Sequence, residues 1–357
     1  MASVGWIDFS PAHRNRIGSV LDLLRPEGVV DELGLGTMRD ALANRLFPGI
    51  STIQTRAKYF FIIPYILYDY QSLKPSQRRG RTPTRFLEEK EYEIMWQLAQ
   101  EYNYIEGNGV IGISKRKPNK IARRPSAIYW NGLSTYNFID TRGLAASSFL
   151  NQAVNPSMES LLSEEPKGDD GGKDDRDAEY ESMFRIKVAP KTNWSGSLRL
   201  DLDKDEAEFF ADRINSLAKN TLLSTALTNE RLWQVFNKAG NFADFVKSAI
   251  QLPLSDEVRS MLIIAHDFSE LAYGIHLAYN CQLQRKVFNR KNFEDDWKDW
   301  TKNIQRNMLD YANFNPDVLF THAITTRAAT TQFVNEWWSQ TQNGFRDFGV
   351  NCRKPLW

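Results

Sequence analysis

The residues with the best spacing for a catalytic centre are His266, Glu270 and Tyr273, which share one face of a predicted helix at i, i+4 and i+7. A histidine and a carboxylate at this spacing could act as a general acid–base pair. The same spacing is typical of a hydrogen-bonded polar seam inside a helical bundle, which is the commoner arrangement. The sequence leaves both interpretations open, and the first would make the chain an effector enzyme such as a nuclease.

Residue patterns typical of metal sites are missing from the sequence. None of the four histidines begins a His-x-Glu, His-x-Lys or His-Glu-x-x-His arrangement. Asp201, Asp203 and Asp205 imitate the start of a calcium loop, but Glu206 stands where that loop needs glycine. These acids instead predict the N-terminus of a helix, where the helix dipole favours negative charge. We therefore expect no metal and no cofactor.

Three glycines fit the dinucleotide-binding pattern G-x-G-x-x-G, at Gly107, Gly109 and Gly112. That pattern holds pyrophosphate only when it follows a strand and opens a helix. Here a predicted helix precedes the glycines and strand-like residues follow them. The three glycines therefore predict a hairpin rather than a nucleotide site.

Clustered basic residues are the clearest sign of a binding function. Phosphate contacts need flexible cations and unpaired bases stack on aromatic rings, so basic clusters close to Tyr129 suit nucleic acid. A predicted helix from Ser51 adds polar residues where a recognition helix contacts bases. Docking to an acidic protein and a merely solvated basic loop are the alternatives. The predicted nucleic-acid-binding residues are Thr52, Gln54, Arg56, Arg78, Arg79, Arg81, Lys115, Arg116, Lys117, Lys120, Arg123, Arg124 and Tyr129.

Helical periodicity dominates the elements that must position these residues. A helix over residues 37–47 and the helix from Ser51 have helix–turn–helix spacing. Residues 107–114 and 126–130 are rich in β-branched and aromatic side chains and predict a hairpin, or wing, with a basic tip. The second half shows 3.6-residue spacing almost throughout. The predicted fold is mainly α, with a winged-helix-like N-terminal part containing a small β-hairpin, followed by an α-helical bundle.

An acidic run containing glycines, at residues 161–184, divides the chain. Since it offers almost nothing to bury, it predicts a disordered linker or a long loop, with an acidic recognition tail as the alternative. The flanking predictions are a basic winged-helix-like domain at 1–160 and an α-helical domain at 185–357. Residues 1–150 contain 20 Lys and Arg against 14 Asp and Glu, whereas the remaining residues contain 25 against 30.

Composition excludes several broad classes of protein. The sequence is 42% hydrophobic and 25% charged, which is typical of globular proteins. Its apolar runs are too short to cross a bilayer, and the first ten residues lack the apolar segment of a secretory signal. Two cysteines cannot build a disulfide framework. We expect a cytoplasmic protein that does not associate with membranes.

Three segments together resemble a family of bacterial proteins described as a domain of unknown function. They are Gly-Trp-Ile-Asp-Phe-Ser at residues 5–10, Ser-Thr-Ile-Gln-Thr-Arg-Ala-Lys-Tyr-Phe-Phe-Ile-Ile-Pro-Tyr at 51–65, and Phe-Ser-Glu-Leu-Ala-Tyr-Gly-Ile-His-Leu-Ala-Tyr-Asn at 268–280. Members of that family often lie beside a helicase or a nuclease in phage-defence gene neighbourhoods. The family supplies no established catalytic residues.

The resemblance implies a role in antiviral defence within a multi-protein system. Together with the basic clusters, it predicts a non-catalytic subunit that binds nucleic acid, with DNA preferred over RNA, and a helicase or nuclease subunit. The alternative function is a defence effector enzyme, such as a nuclease, built around the His266, Glu270 and Tyr273 centre.

Overall fold

The computed structural model describes residues 34–78, 80–152, 184–196, 198–284, 293–323 and 326–345. The regular secondary structure of these ranges consists of fourteen helices, and their β pairing is limited to one antiparallel bridge, between Ile139 and Ile186. The predicted mainly α class is therefore confirmed. Among the described helices, none combines the length and the apolar character that crossing a membrane requires.

The fourteen helices are labelled in chain order. The first six are α1 Leu35–Leu46, α2 Tyr59–Ser72, α3 Pro75–Arg78, α4 Pro83–Glu101, α5 Pro125–Thr135 and α6 Ala146–Gln152. The other eight are α7 Lys204–Leu217, α8 Leu222–Thr228, α9 Glu230–Lys238, α10 Phe242–Ala249, α11 Asp256–Gln284, α12 Phe293–Asn307, α13 Pro316–His322 and α14 Ala328–Gln342.

Contacts within the chain separate two compact units. The central unit is Gly49–Lys219, and the terminal unit combines Met1–Pro48 with Asn220–Trp357. These units do not coincide with the predicted domains, because residues on both sides of the predicted linker 161–184 belong to the central unit. The linker lies outside the described residues apart from Phe184, which is buried.

The core of the central unit is built around α2, because nearly all of its side chains are apolar. Ten of its fourteen residues are buried, and it packs against α4 and α5. The ring of Phe60 lies 4.7 Å from that of Phe210 and meets Tyr129 edge-to-face at 5.1 Å between centroids. Edge-to-face contacts are favoured between aromatic rings, so this cluster fixes α2 against α5 and α7.

A buried ion pair joins the start of α2 to the start of α7. Lys58 Nζ lies 2.6 Å from both carboxylate oxygens of Glu206, and the two side chains are only 11% and 5% exposed. The Tyr65 hydroxyl donates to the same carboxylate at 3.1 Å. Glu206 also forms a capping box with Asp203, which confirms the predicted acid-rich helix N-terminus.

The terminal unit is organised by α11, its longest helix, which packs against α12 and α1. At Gly274 the ring of Trp300 occupies the space that a Cβ would need, so the two helices approach closely there. The Trp300 indole N–H donates to the Glu270 carbonyl at 3.1 Å. A second cluster around Leu232 and Val246 packs α9 and α10 against the first half of α11.

The predicted β-hairpin is wrong in both of its strands. Residues 107–114 form turns and irregular backbone, with three glycines at positive φ. Residues 126–130 lie within α5, which begins at Pro125, since a proline in the first helical position loses no helical hydrogen bond. The basic residues that follow Ser114 therefore form a loop between helices and not the tip of a wing.

The predicted second helix of a helix–turn–helix is also wrong at its start. Residues 51–58 form turns and irregular backbone, and α2 begins only at Tyr59. The backbone N–H groups of Thr55 and Arg56 donate to the Tyr129 hydroxyl at 2.7 and 3.0 Å, so this segment bonds to a distant side chain instead of to a preceding turn of helix. The residues predicted to read bases from a helix thus lie on a turn.

Replacing Lys58 by Met should lower the free energy of unfolding by about 3–5 kcal/mol, because Glu206 would stay buried without its cation. The double variant Lys58→Met with Glu206→Gln should recover most of that loss, since glutamine keeps the capping box and leaves no buried charge. Urea unfolding measures both effects, with Lys204→Met as an exposed control. A single variant as stable as the original chain would contradict the role assigned to the ion pair.

Candidate nucleic-acid interface

The basic loop, defined here as residues 113–124, runs from a glycine turn to the start of α5. Gly112 has a φ of +76°, and the side chains of Met95 and Ile121 fill the space beside it. At the other end, Arg124 is the extended N-cap residue of α5. Residues 114–120 are all exposed. The loop is therefore fixed at its ends and open along its middle.

A buried carboxylate attaches the end of the basic loop to α4. Glu91 is 2% exposed and accepts hydrogen bonds from the Ser126 N–H at 2.5 Å, the Ser126 hydroxyl at 3.0 Å and Arg124 Nη1 at 3.1 Å. Burial raises the pKa of Glu91 to about 7, although these hydrogen bonds and the charge of Arg124 act in the opposite direction. Arg124 is thus committed to an internal ion pair.

Two more predicted cations face acids on α4. Lys120 Nζ lies 2.8 Å from Glu88 Oε1, and this hydrogen bond is the largest cause that lowers the pKa of Glu88. Arg81 Nη1 lies 3.3 Å from Glu89 Oε2. Ion pairs as exposed as these add little to stability. Each of them, however, neutralises a cation that was predicted from the sequence to bind phosphate.

Arg78 has a structural use at the end of α2. Its guanidinium donates to the carbonyls of Leu73 and Gln71, both at 3.2 Å, where the last helical carbonyls lack partners within the helix. The neighbouring Arg79 lies outside the described residues, so its predicted role stays a prediction.

Two cations of the basic loop lie on aromatic rings instead of on acids. The Arg116 guanidinium is 3.1 Å from the ring centroid of Tyr104, and Lys117 Nζ is 5.4 Å from that of Trp96. Trp96 in turn stacks on Tyr92, at 5.8 Å between centroids. A cation over a ring is held in place while keeping its full charge.

Lys115 and Arg123 are exposed and have no acidic partner among the described residues. Arg116 and Lys117 likewise face no carboxylate in that part of the chain. We call Lys115, Arg116, Lys117 and Arg123 the four unpaired cations. Within the basic loop, they are the predicted residues whose charge no described acid offsets.

The turn that precedes α2 is fixed to the neighbouring loop. Arg56 Nε donates to the Asn108 carbonyl at 2.8 Å, and Gln54 Nε2 donates to the Gly49 carbonyl at 3.1 Å. Thr52 is exposed on the same turn. Arg56 keeps its positive charge because its partner is a neutral carbonyl, whereas the amide of Gln54 is used to hold the turn together.

The predicted stacking role of Tyr129 is wrong. Its ring is 0% exposed, and its hydroxyl accepts two backbone hydrogen bonds from the turn and donates one to the Arg56 carbonyl at 2.9 Å. A ring enclosed on both faces cannot receive a base. The side chain instead holds the turn of residues 51–58 against α5.

The predicted His266 centre is buried in the terminal unit. His266 is 1% exposed, and its Nδ1 lies 2.9 Å from a carboxylate oxygen of Asp267. Asp267 accepts the N–H groups of Leu309 and Asp310 at 2.8 and 2.9 Å, which fixes the chain after α12 to α11. Asp267 is not among the predicted site residues, and its only signal in the sequence is the adjacent histidine.

Glu270 lies one turn further along α11. Asn307 donates to its carboxylate at 3.5 Å, and burial raises its pKa while the nearby His266 opposes the rise. His266 Nε2 is buried and has no hydrogen-bond partner among the described residues. Tyr273 is partly buried on the same helix. Across the described residues, no group of three or more His, Cys, Asp or Glu side chains is placed to hold a metal ion.

The fold and the basic loop define a mainly α-helical protein with an exposed, cation-bearing loop on its central unit. A family model described as a family of unknown function, DUF6361, matches residues 1–302, and the chain belongs to that family. Neither the curated proteins nor the solved structures contain a match to the chain.

The pKa of Glu91 predicts a pH dependence of stability. Because its pKa is higher in the folded chain than the ordinary 4.5, the stabilisation from the protonated form is complete below pH 4.5 and is lost as the pH rises toward about 7. Relative to Glu91→Gln, the original chain should lose up to about 3 kcal/mol of unfolding free energy over that range. Denaturant unfolding at several pH values measures the difference.

Glu88→Gln provides the matched control, because the pKa of Glu88 is lowered instead of raised. Its stability difference from the original chain should stay flat above pH 5. The opposite result would be an original chain that becomes more stable relative to Glu91→Gln as the pH rises. It would show that Arg124 and the hydrogen bonds lower the pKa of Glu91 more than burial raises it.

Proposed function

We propose that the central unit binds the phosphate backbone of nucleic acid through its basic loop, with little dependence on base sequence. The observation that carries this proposal is the set of four unpaired cations on an exposed loop with fixed ends. Flexible lysines and arginines without acidic partners can replace the counterions that surround phosphates. Arg56 adds a fifth positive charge on the adjacent turn.

Weak dependence on sequence is expected from the kind of contact available. Side chains that read base edges are carried into a groove of the DNA by a helix or a β-ribbon. Thr52 and Gln54, which were predicted to read bases, lie on a turn instead. Phosphate contacts fix position and orientation without carrying sequence information. DNA in preference to RNA remains our expectation.

The chain acts, in this proposal, as a non-catalytic subunit of a bacterial antiviral defence system beside a helicase or a nuclease. The resemblance of its three quoted segments to proteins from phage-defence neighbourhoods supports that context. The burial of His266 and the use of Asp267 to hold the chain after α12 support a structural role for the polar centre of α11.

The charge contacts can be tested by salt dependence. Replacing Lys115, Arg116 and Lys117 by Ala should reduce the slope of log affinity against log salt by about 2.7 on duplex DNA, since each phosphate contact contributes about 0.9. The loss of affinity should be similar for unrelated sequences. Fluorescence anisotropy titrations at several salt concentrations measure both quantities.

The control replaces Lys204, Arg213 and Lys219, which lie on and just after α7, by Ala. It removes the same net charge from the central unit as the basic-loop variant does. It should leave the slope nearly unchanged. An equal reduction from both triple variants would indicate a general charge effect. An unchanged slope for the basic-loop variant, together with loss of a co-purifying protein, would instead favour docking to an acidic partner.

The structural role of the polar centre predicts a linked loss of stability. Replacing His266 and Glu270 by Ala should lower the melting temperature along with any defence activity, because it removes packed side chains next to Asp267. Protection of host cells against phage and thermal unfolding are measured on the same variant. Lost protection with an unchanged melting curve would instead favour the effector-enzyme alternative.

A further inference from the structure

Ile105 is an apolar side chain held out into solvent. It is 65% exposed, more than the other exposed large apolar side chains of the described residues, which range from 41% to 47%. It lies three residues after Tyr102, the C-cap residue of α4. A single exposed isoleucine is ordinary by itself, so its support and its surroundings decide whether it has a function.

The backbone holds Ile105 in a fixed position. Asn103 and Tyr104 have φ values of +50° and +57°, a left-handed conformation that asparagine tolerates and that is unfavourable for tyrosine. The Tyr104 N–H donates to the Ala99 carbonyl at 2.8 Å, and the Asn108 side-chain amide donates to the Ile105 carbonyl at 2.7 Å. Strained backbone persists where the surrounding bonds determine it, so Ile105 is presented by a rigid turn.

Two cations contact residues of this turn. Arg116 lies on the ring of Tyr104, directly before Ile105. Arg56 binds the backbone carbonyl of Asn108, whose side chain holds Ile105. One acid, Glu106, is exposed next to the isoleucine. An apolar tip on a turn that two cations contact fits a polyanion that has an apolar interior.

The aromatic rings of this region do not suit a single strand. Unpaired bases stack on open aromatic faces. Tyr129 is fully buried, and cations already lie over the rings of Tyr104 and Trp96. A stacked duplex offers a different contact, because an aliphatic side chain can enter between adjacent base pairs from the minor groove.

We propose that Ile105 is a wedge that enters between two base pairs of a DNA duplex and kinks it, while Arg116 and Arg56 bind the phosphates on either side. This inference rests on the proposed function. It specifies the bound nucleic acid as duplex DNA in which neighbouring base pairs can be unstacked. Side-chain wedges of this type kink DNA by about 20–90°.

Energy transfer between dyes on the two ends of a short duplex tests the proposal, using the full chain at saturating concentration. The original chain should shorten the end-to-end distance, and Ile105→Ala should restore most of it. Affinity should fall about tenfold, the factor expected when an isoleucine loses its buried contact. The salt slope should not change, because no charge is removed. Leu227→Ala, which truncates another exposed apolar side chain but in the terminal unit, should leave both quantities unaltered.

A duplex with one central mismatch provides a second readout. Because the base-pair step at the mismatch is already partly unstacked, the Ile105→Ala variant should lose less affinity for the mismatched duplex than for the matched one. Glu106→Gln should strengthen binding to both duplexes, since it removes the one acid beside the wedge.

The possible results separate the wedge from the proposed function. Salt-dependent binding of a duplex that stays straight would overturn the wedge and leave phosphate binding in place. Tighter binding to single strands would overturn it as well. Absence of salt-dependent binding by the original chain would overturn both. Loss of a co-purifying protein from Ile105→Ala, with bending unchanged, would reassign Ile105 to a protein contact.

Discussion

A carboxylate that leaves water must be neutralised by a cation or a proton, and this constraint determines much of the central unit. Among the described residues of this unit, two carboxylates are almost fully buried. Glu206 is neutralised by Lys58 and supported by the Tyr65 hydroxyl, which joins the starts of α2 and α7. Glu91 is held by Arg124 and Ser126, which joins α4 to the start of α5. The first contact fixes the end of the turn at residues 51–58, and the second fixes the end of the basic loop.

The same constraint sorts the basic residues of the first half of the chain. Arg124, Lys120 and Arg81 form ion pairs with buried or half-buried acids, so these cations serve the fold itself. Lys115 and Arg123, which have no such acid among the described residues, keep their charge for an external partner. The excess of bases over acids in residues 1–150 therefore overstates the interface, whose effective part is a short stretch of loop with rigid ends.

Local sequence signals predicted the elements that depend on local contacts. Periodicity located α1 and α11, and the acid-rich start of α7 followed from its capping residues. The turn of residues 51–58 could not be predicted, because its N–H groups bond to the Tyr129 hydroxyl, 74 residues away from Thr55. The start of α5 had a usable signal in Pro125, but the β-branched and aromatic residues after it were interpreted as a strand. Pairing of Lys120 with Glu88 spans 32 residues and has no local signature.

The central claim is that acidic partners decide which cations contact phosphate, and releasing a paired cation tests it most directly. Glu88→Gln frees Lys120 on the basic loop without adding a new cation. If the account is right, the slope of log affinity for duplex DNA against log salt should steepen by about 0.9, the contribution of one new phosphate contact. A slope that matches that of the original chain would contradict it.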